Sequence, residues 1–169
     1  MVQYRRNRVA GGTYFFTVTL RDRRGDTLVR HIDALRTSWR LARARVPHEV
    51  LAVAVLPEHL HTVIRMAEGS ADYSRLWQEI KKGFTRRLPP QPGAASPWQP
   101  RFWEHTMRDE RDVQAHIDYV HFNPVKHGWV TRVADWPHSS FHRYVRAGIL
   151  PPDWGTQPGD ARRPLARAP

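Results

Sequence analysis

An α+β fold on a ferredoxin-like (RRM-like) antiparallel sheet is predicted by two features of this 169-residue chain. Alternating apolar segments and segments of three-to-four-residue apolar spacing follow one another as strand, helix, strand, strand, helix, strand, helix. Two of those helices can cover one face of the sheet. The alternation in the third strand then turns His59 and His61 to the opposite face, where the last of these helices, carrying Tyr119, packs over them.

The elements are justified in chain order. Thr13 to Leu20 alternates strictly, with Tyr14, Phe16, Val18 and Leu20 on one side and Thr13, Phe15, Thr17 and Thr19 on the other. Arg21 to Asp26 reads as a charged turn. From His31 to Val46 the residues Ile32, Leu35, Trp39, Ala42 and Val46 recur every three or four positions, an amphipathic helix. His48 to Leu56 reads as a buried strand and Pro57-Glu58 as a break. His59 to Met66 is the next strand, with Leu60, Thr62, Ile64 and Met66 facing the core. Asp72 to Leu88 is a second helix on the stripe Tyr73, Leu76, Trp77, Ile80 and Phe84. Residues 89–100 form a Pro-rich loop, and Arg101 to Met107 a further strand. A third helix runs from Asp109 to about Asn123, where Pro124, which disfavours helical geometry in the residue before it, marks the helix end or a kink. Ser139 or Ser140 is the expected N-cap of a short last helix. Residues 1–150 are thus expected to form one domain, and residues 151–169 a flexible, basic, Pro-rich tail.

Charge narrows the partners. The chain holds 27 Lys and Arg against 16 Asp and Glu, formally +11, with a pI near 11.1. Such a field concentrates polyanions, nucleic acid ahead of acidic membrane. Residues 1–46 alone hold eleven arginines against Asp22, Asp26 and Asp33. Cysteine is absent, which excludes disulfides, zinc fingers and thiol catalysis. The opening Met1 to Arg6 lacks the apolar stretch of a signal peptide, and no apolar run approaches the roughly 20 residues of a membrane span. A cytoplasmic, nucleoid-associated protein with no membrane partner is expected.

The chemistry concentrates in a few residues. His59-Leu60-His61 puts two imidazoles on one side of a strand, a common metal-binding arrangement. With ten histidines in the chain, the same spacing also arises by chance on a half-exposed strand. Tyr119 and Asn123, four residues apart, share a helix face. Asn123 would add a neutral oxygen to a three-ligand site with positions left for a phosphate oxygen, which suits Mg²⁺ or Mn²⁺ as a Lewis acid. Tyr119 would be the nucleophile. A tyrosine hydroxyl has a reference pKa of about 10 and attacks poorly unless positioned and helped; otherwise a helical tyrosine is a packing residue. For DNA contacts the candidates are Arg5, Arg6 and Arg8, Arg21, Arg23 and Arg24 beside the first strand, and Lys81, Lys82, Arg86 and Arg87 on the solvent side of the second helix. Trp98, Phe102 and Trp103 are candidates to stack bases or to fill the core. His105, His116 and His127 are expected to be structural or superficial, with His116 one turn from Tyr119 and so a candidate to assist its proton.

At these residues the chain resembles the single-tyrosine HUH transposases. Leu-Pro-Glu-His-Leu-His (56–61) matches the His–apolar–His signature, and Asp118 to Gly128 (DYVHFNPVKHG) looks like the tyrosine helix of those enzymes. Phe102 to His105, Trp136 to Ser140 and the opening Tyr4-Arg5-Arg6 with Gly11 to Val18 fit their REP-associated branch. The resemblance spans about residues 3 to 154. It implies a metal-dependent single-strand endonuclease and strand transferase that acts on REP-type hairpin DNA through a 5′-phosphotyrosine link, without a nucleotide cofactor. By the same resemblance Tyr119 is the nucleophile, and His59, His61 and Asn123 are ligands of Mg²⁺ or Mn²⁺. A monomer is expected, although the wider family forms dimers. His121, beside the tyrosine, and the Pro-rich 89–100 loop depart from the family pattern. Two other readings remain: a protein that holds palindromic DNA without cutting it, and a phosphodiesterase that activates water at its metal and uses Tyr119 only for packing.

Overall fold

The computed structural model describes residues 6–90, 93, 95–157 and 160. Its strands are β1 (Thr13–Thr19), β2 (His48–Val55), β3 (His59–Met66) and β4 (Trp103–Thr106). The helices are α1 (Thr27–Arg30), α2 (Ile32–Arg45), α3 (Tyr73–Arg87), α4 (Glu110–Lys126) and α5 (Phe141–Arg146), with a 3-10 turn at Val133–Asp135. The strands form one antiparallel sheet in the order β2-β3-β1-β4, the ferredoxin-like arrangement. No described helix is long and apolar enough to cross a membrane.

Period-two alternation divides the core in two. Tyr14, Phe16 and Val18 of β1 and Leu60, Ile64 and Met66 of β3 pack with Leu35 of α2 and Tyr73, Trp77, Ile80 and Phe84 of α3. Phe15 and Val63, on the intervening positions, pack instead with Val113, Ile117 and Val120 of α4. A third cluster joins Val133, Phe141 and Trp154. The packed chain therefore continues past residue 150, because Trp154 buries its indole against Val133 and Phe141.

The two longest helices, α3 and α4, each begin on an aspartate. Asp72 accepts a hydrogen bond from the Arg75 amide, and Asp109 from that of Asp112, so each occupies one of the donors a helix start leaves free. Ser140 flanks α5 as expected, but the Phe141 amide donates to Ser139 Oγ, leaving Ser140 Oγ to accept from the Val53 amide.

The end of α4 differs from expectation. The helix runs through Pro124 to Lys126. Pro124 costs it a single hydrogen bond, the one a residue at that position would donate to Val120. What stops the helix is Gly128, at φ +73°: its amide donates to Val125 and the Trp129 amide to Pro124. That double closure needs a left-handed residue, which glycine adopts without strain. The extra turn carries Lys126 and His127 towards the histidine face.

Candidate active site

His61 lies directly across from Thr17, and His59 from Thr19, in the β1–β3 ladder. Each imidazole is held from behind. Thr17 Oγ1 lies 2.8 Å from His61 Nδ1, and Glu58 Oε1 lies 2.8 Å from His59 Nδ1. Both remaining nitrogens turn to one point, with the two Nε2 atoms 3.1 Å apart. Two nitrogens that share one ion at about 2.1 Å stand roughly this far apart. Burial pushes the pKa of both rings down; for His61 the neighbouring His59, His127 and Lys126 push further, while Glu58 opposes the shift at His59. The rings are therefore neutral near pH 7, the state in which imidazole binds a metal.

Asn123 completes this corner. It is fully buried with its amide beside His61, yet neither Oδ1 nor Nδ2 makes a well-formed hydrogen bond. A buried amide without partners is costly, and a cation against its oxygen would remove that cost. His127, expected to be structural or superficial, stands with its ring centroid 5.0 Å from that of His59. Ligand atoms of His59, His61 and His127 lie within 4.8 Å of one another. The donor set, with neutral nitrogens and an amide oxygen, fits a divalent cation.

Tyr119 faces this group. Its ring centroid is 5.5 Å from that of His61, and Phe15 stands edge-on to it at 5.8 Å. Its hydroxyl accepts a hydrogen bond from Lys126 Nζ at 3.0 Å. His116, the sequence candidate for assisting the tyrosine proton, is turned elsewhere: its Nδ1 bonds the Asp112 carbonyl at 2.8 Å and its ring stacks on His105. A cleft of about 450 Å³ opens over the histidines, lined by Thr17, Arg23, Arg101, Phe102, Trp103 and His127 among others.

No family model matches the chain. A REP-associated tyrosine transposase of Escherichia coli K12 is 47% identical over 154 residues, covering 91% of each chain. A Haemophilus influenzae protein, provisionally given the same name, is 40% identical over 168 residues, 94% of this chain and 96% of that one. The chain belongs to the REP-associated tyrosine transposases. A solved structure of such a transposase bound to a REP hairpin superposes with a TM-score of 0.86 at 44% identity, over 98% of this chain and all of that one.

In this REP-associated transposase the other sequence candidates fall into three groups. Arg23 and Trp103 line the histidine cleft, while Arg24 is exposed and Arg21 donates to the Trp98 carbonyl. Arg6, Lys81 and Lys82 line a separate cleft of about 920 Å³ with Arg75 and Arg86. There Arg6 lies 4.5 Å over the Phe102 ring, and Arg6 and Arg8 both donate to Ser74 Oγ. Arg5 lies outside the described residues. One expectation is corrected. Lys81 is half-buried, not on the solvent side: its ammonium donates to the Gln99 carbonyl, and burial, then Arg6, pushes its pKa down to about 8. Of the two roles left open for Trp98, it takes the packing one, in the core against Phe84.

Behind Phe15 lies a group built on His105, expected to be structural or superficial. His105 Nε2 and Asp112 Oδ2 are 2.8 Å apart, and Arg108 donates to the same oxygen. Burial works against the Asp112 carboxylate, but the bonds from His105 and Arg108 outweigh it and hold its pKa below the usual range. This network ties β4 to the start of α4 and so fixes the helix that carries Tyr119.

Proposed function

We propose that the protein cuts and rejoins single-stranded DNA beside REP-type hairpins, with Tyr119 as nucleophile and Mg²⁺ or Mn²⁺ held by His59, His61 and either Asn123 or His127. It would do so in the cytoplasm, on nucleoid DNA. The observation that supports this best is the convergence of the two Nε2 atoms, 3.1 Å apart, beside the Tyr119 ring. The hairpin-bound relative supports the choice of DNA.

In cleavage the Tyr119 oxygen attacks the scissile phosphorus. The Oη–P bond forms, the P–O3′ bond breaks, and the products are a 5′-phosphotyrosine and a free 3′-OH. Attack by a 3′-OH on that link reverses the step. One ester replaces another, so no nucleotide cofactor is needed. A divalent ion on the histidines would draw charge from a non-bridging phosphate oxygen. The chain's own residues do the rest. Glu58 and Thr17 aim the imidazoles, Phe15 and His61 hold the tyrosine ring in place, and Arg23 and Arg101 put positive charge along the cleft where the phosphates would lie.

The test is incubation with Mn²⁺ and an end-labelled REP-type hairpin, read on a denaturing gel. Wild type should form a covalent protein–DNA adduct, and Tyr119→Phe none. Cleavage that survives in Tyr119→Phe would point to activated water; tight binding without cleavage would point to a DNA-holding protein.

A further inference from the structure

We propose that Lys126 is a second catalytic residue of this site: a fixed ammonium that holds the negative charge on the Tyr119 oxygen while its bond to phosphorus is made or broken. The inference rests on Tyr119 being the nucleophile.

The geometry carries it. Lys126 Nζ is 3.0 Å from Tyr119 Oη and 4.6 Å from the ring centroid, so the lysine side chain lies along the ring and ends on its hydroxyl. The two residues are seven apart on α4. At about 100° per residue, seven positions return within about 20° of the same face, two turns further along. The contact therefore exists only because the helix continues past Pro124. Among the described residues no carboxylate is within ion-pair distance of Lys126, so its charge is not spent on a partner. The same charge reaches the two histidines, on whose rings it acts electrostatically.

A phenolate is a poor leaving group, because its conjugate acid has a reference pKa of about 10. Rejoining requires it to leave. A 3′-OH attacks phosphorus and gives its proton to solvent; the P–Oη bond breaks and its electron pair stays on Oη. The Lys126 N–H already points there, and the oxygen later takes a proton from water. In cleavage the sequence runs backwards: the Tyr119 proton goes to solvent, the ammonium steadies the oxygen, and the departing O3′ takes up a proton from solvent. Lys126 keeps its own protons throughout. A preorganised donor on a developing oxyanion contributes about 10²- to 10³-fold in rate.

The experiment traps the Tyr119–DNA adduct on a suicide oligonucleotide, adds a 3′-OH strand and measures single-turnover rejoining. Lys126→Met is expected to slow rejoining by about 100-fold, with Lys126→Arg restoring most of it. Hairpin Kd and thermal unfolding should stay close to wild type in both. Replacing Tyr119 with 3,5-difluorotyrosine, a less basic leaving group, should shrink the Lys126→Met defect several-fold. A defect unchanged by fluorination, an unchanged rate, or a Kd that weakens as much as the rate falls would each overturn the proposal, the last by making Lys126 a phosphate contact. If wild type forms no adduct at all, the Tyr119 reading fails first and this one with it.

Discussion

An imidazole aimed by a hydrogen-bonded partner is a better ligand than a free one, and Glu58 shows how that works at a single position. Its carboxylate holds His59 Nδ1 at 2.8 Å, which leaves Nε2 for the shared point. Loss of such an outer partner costs about 10- to 100-fold in metal affinity. Glu58→Ala should weaken Mn²⁺ binding by that factor in calorimetry or by electron paramagnetic resonance of free Mn²⁺, and Tyr119→Phe should leave it unchanged. Equal Mn²⁺ affinity in Glu58→Ala and wild type would remove Glu58 from the site. The histidine pair itself was legible in the sequence, since a period of two dictates that both rings leave the same side of β3. Glu58 was not: with Pro57 it read only as a break between two strands, and nothing in a one-dimensional pattern places its carboxylate on the ring of the next residue.

At the scale of elements, the informative mismatch is the end of α4. With Pro124 read as a helix end or a kink, the pattern gave no helical register to Lys126 and His127, the two residues that extend the candidate site. The contrary signal was present in Gly128, whose left-handed conformation closes the helix four residues later. Proline costs one hydrogen bond near a helix end, and the buried face of α4 more than offsets it. The contact between α4 and α5 gives a second, measurable consequence. His121 lies buried in α4, 2.9 Å from Ser140 Oγ before α5, and its ring meets Tyr144 and Phe141. Burial, then Arg143 and His142, pushes its pKa down to about 3. The unfolded imidazole takes its proton near pH 6.5, while the folded one refuses it until about pH 3. Its contribution to stability is thus complete above pH 6.5 and is lost as the pH falls towards 3. At pH 5 that amounts to about 2 kcal/mol. Urea unfolding at pH 7 and pH 5 should show His121→Gln losing about 2 kcal/mol less than wild type over this interval. Equal losses in both proteins would mean His121 is not held neutral. His48 and His61, also shifted down by burial, add to the acid sensitivity of both proteins alike.

Over the whole molecule, part of the basic surplus of +11 lines two adjoining clefts. Phe102 lines both, with the histidine cleft and Arg23 and Arg101 on one side and Arg6, Arg75, Lys81, Lys82 and Arg86 on the other. A strand that enters the second cleft and ends at Tyr119 would meet positive charge along its whole path. Lysines and arginines on phosphates act by releasing counterions, so log affinity should fall linearly with log salt, by about 0.7 per phosphate neutralised on a single strand and about 0.9 on a duplex. Lys82 and Arg86 are exposed, and neither has a hydrogen bond or ion pair among the described residues that its loss would break. The double variant Lys82→Ala/Arg86→Ala should therefore fold normally and flatten the salt slope by about 1.4 for a single-stranded contact, or about 1.8 for a duplex one. Fluorescence anisotropy of a labelled REP-type hairpin across 50 to 200 mM salt, roughly the range where such slopes are resolved, reads the difference. Since phosphates carry no sequence, the variant should weaken cognate and scrambled hairpins by the same factor. A slope that does not move would place the DNA elsewhere on the surface; a loss confined to the cognate hairpin would make these two side chains readers of bases.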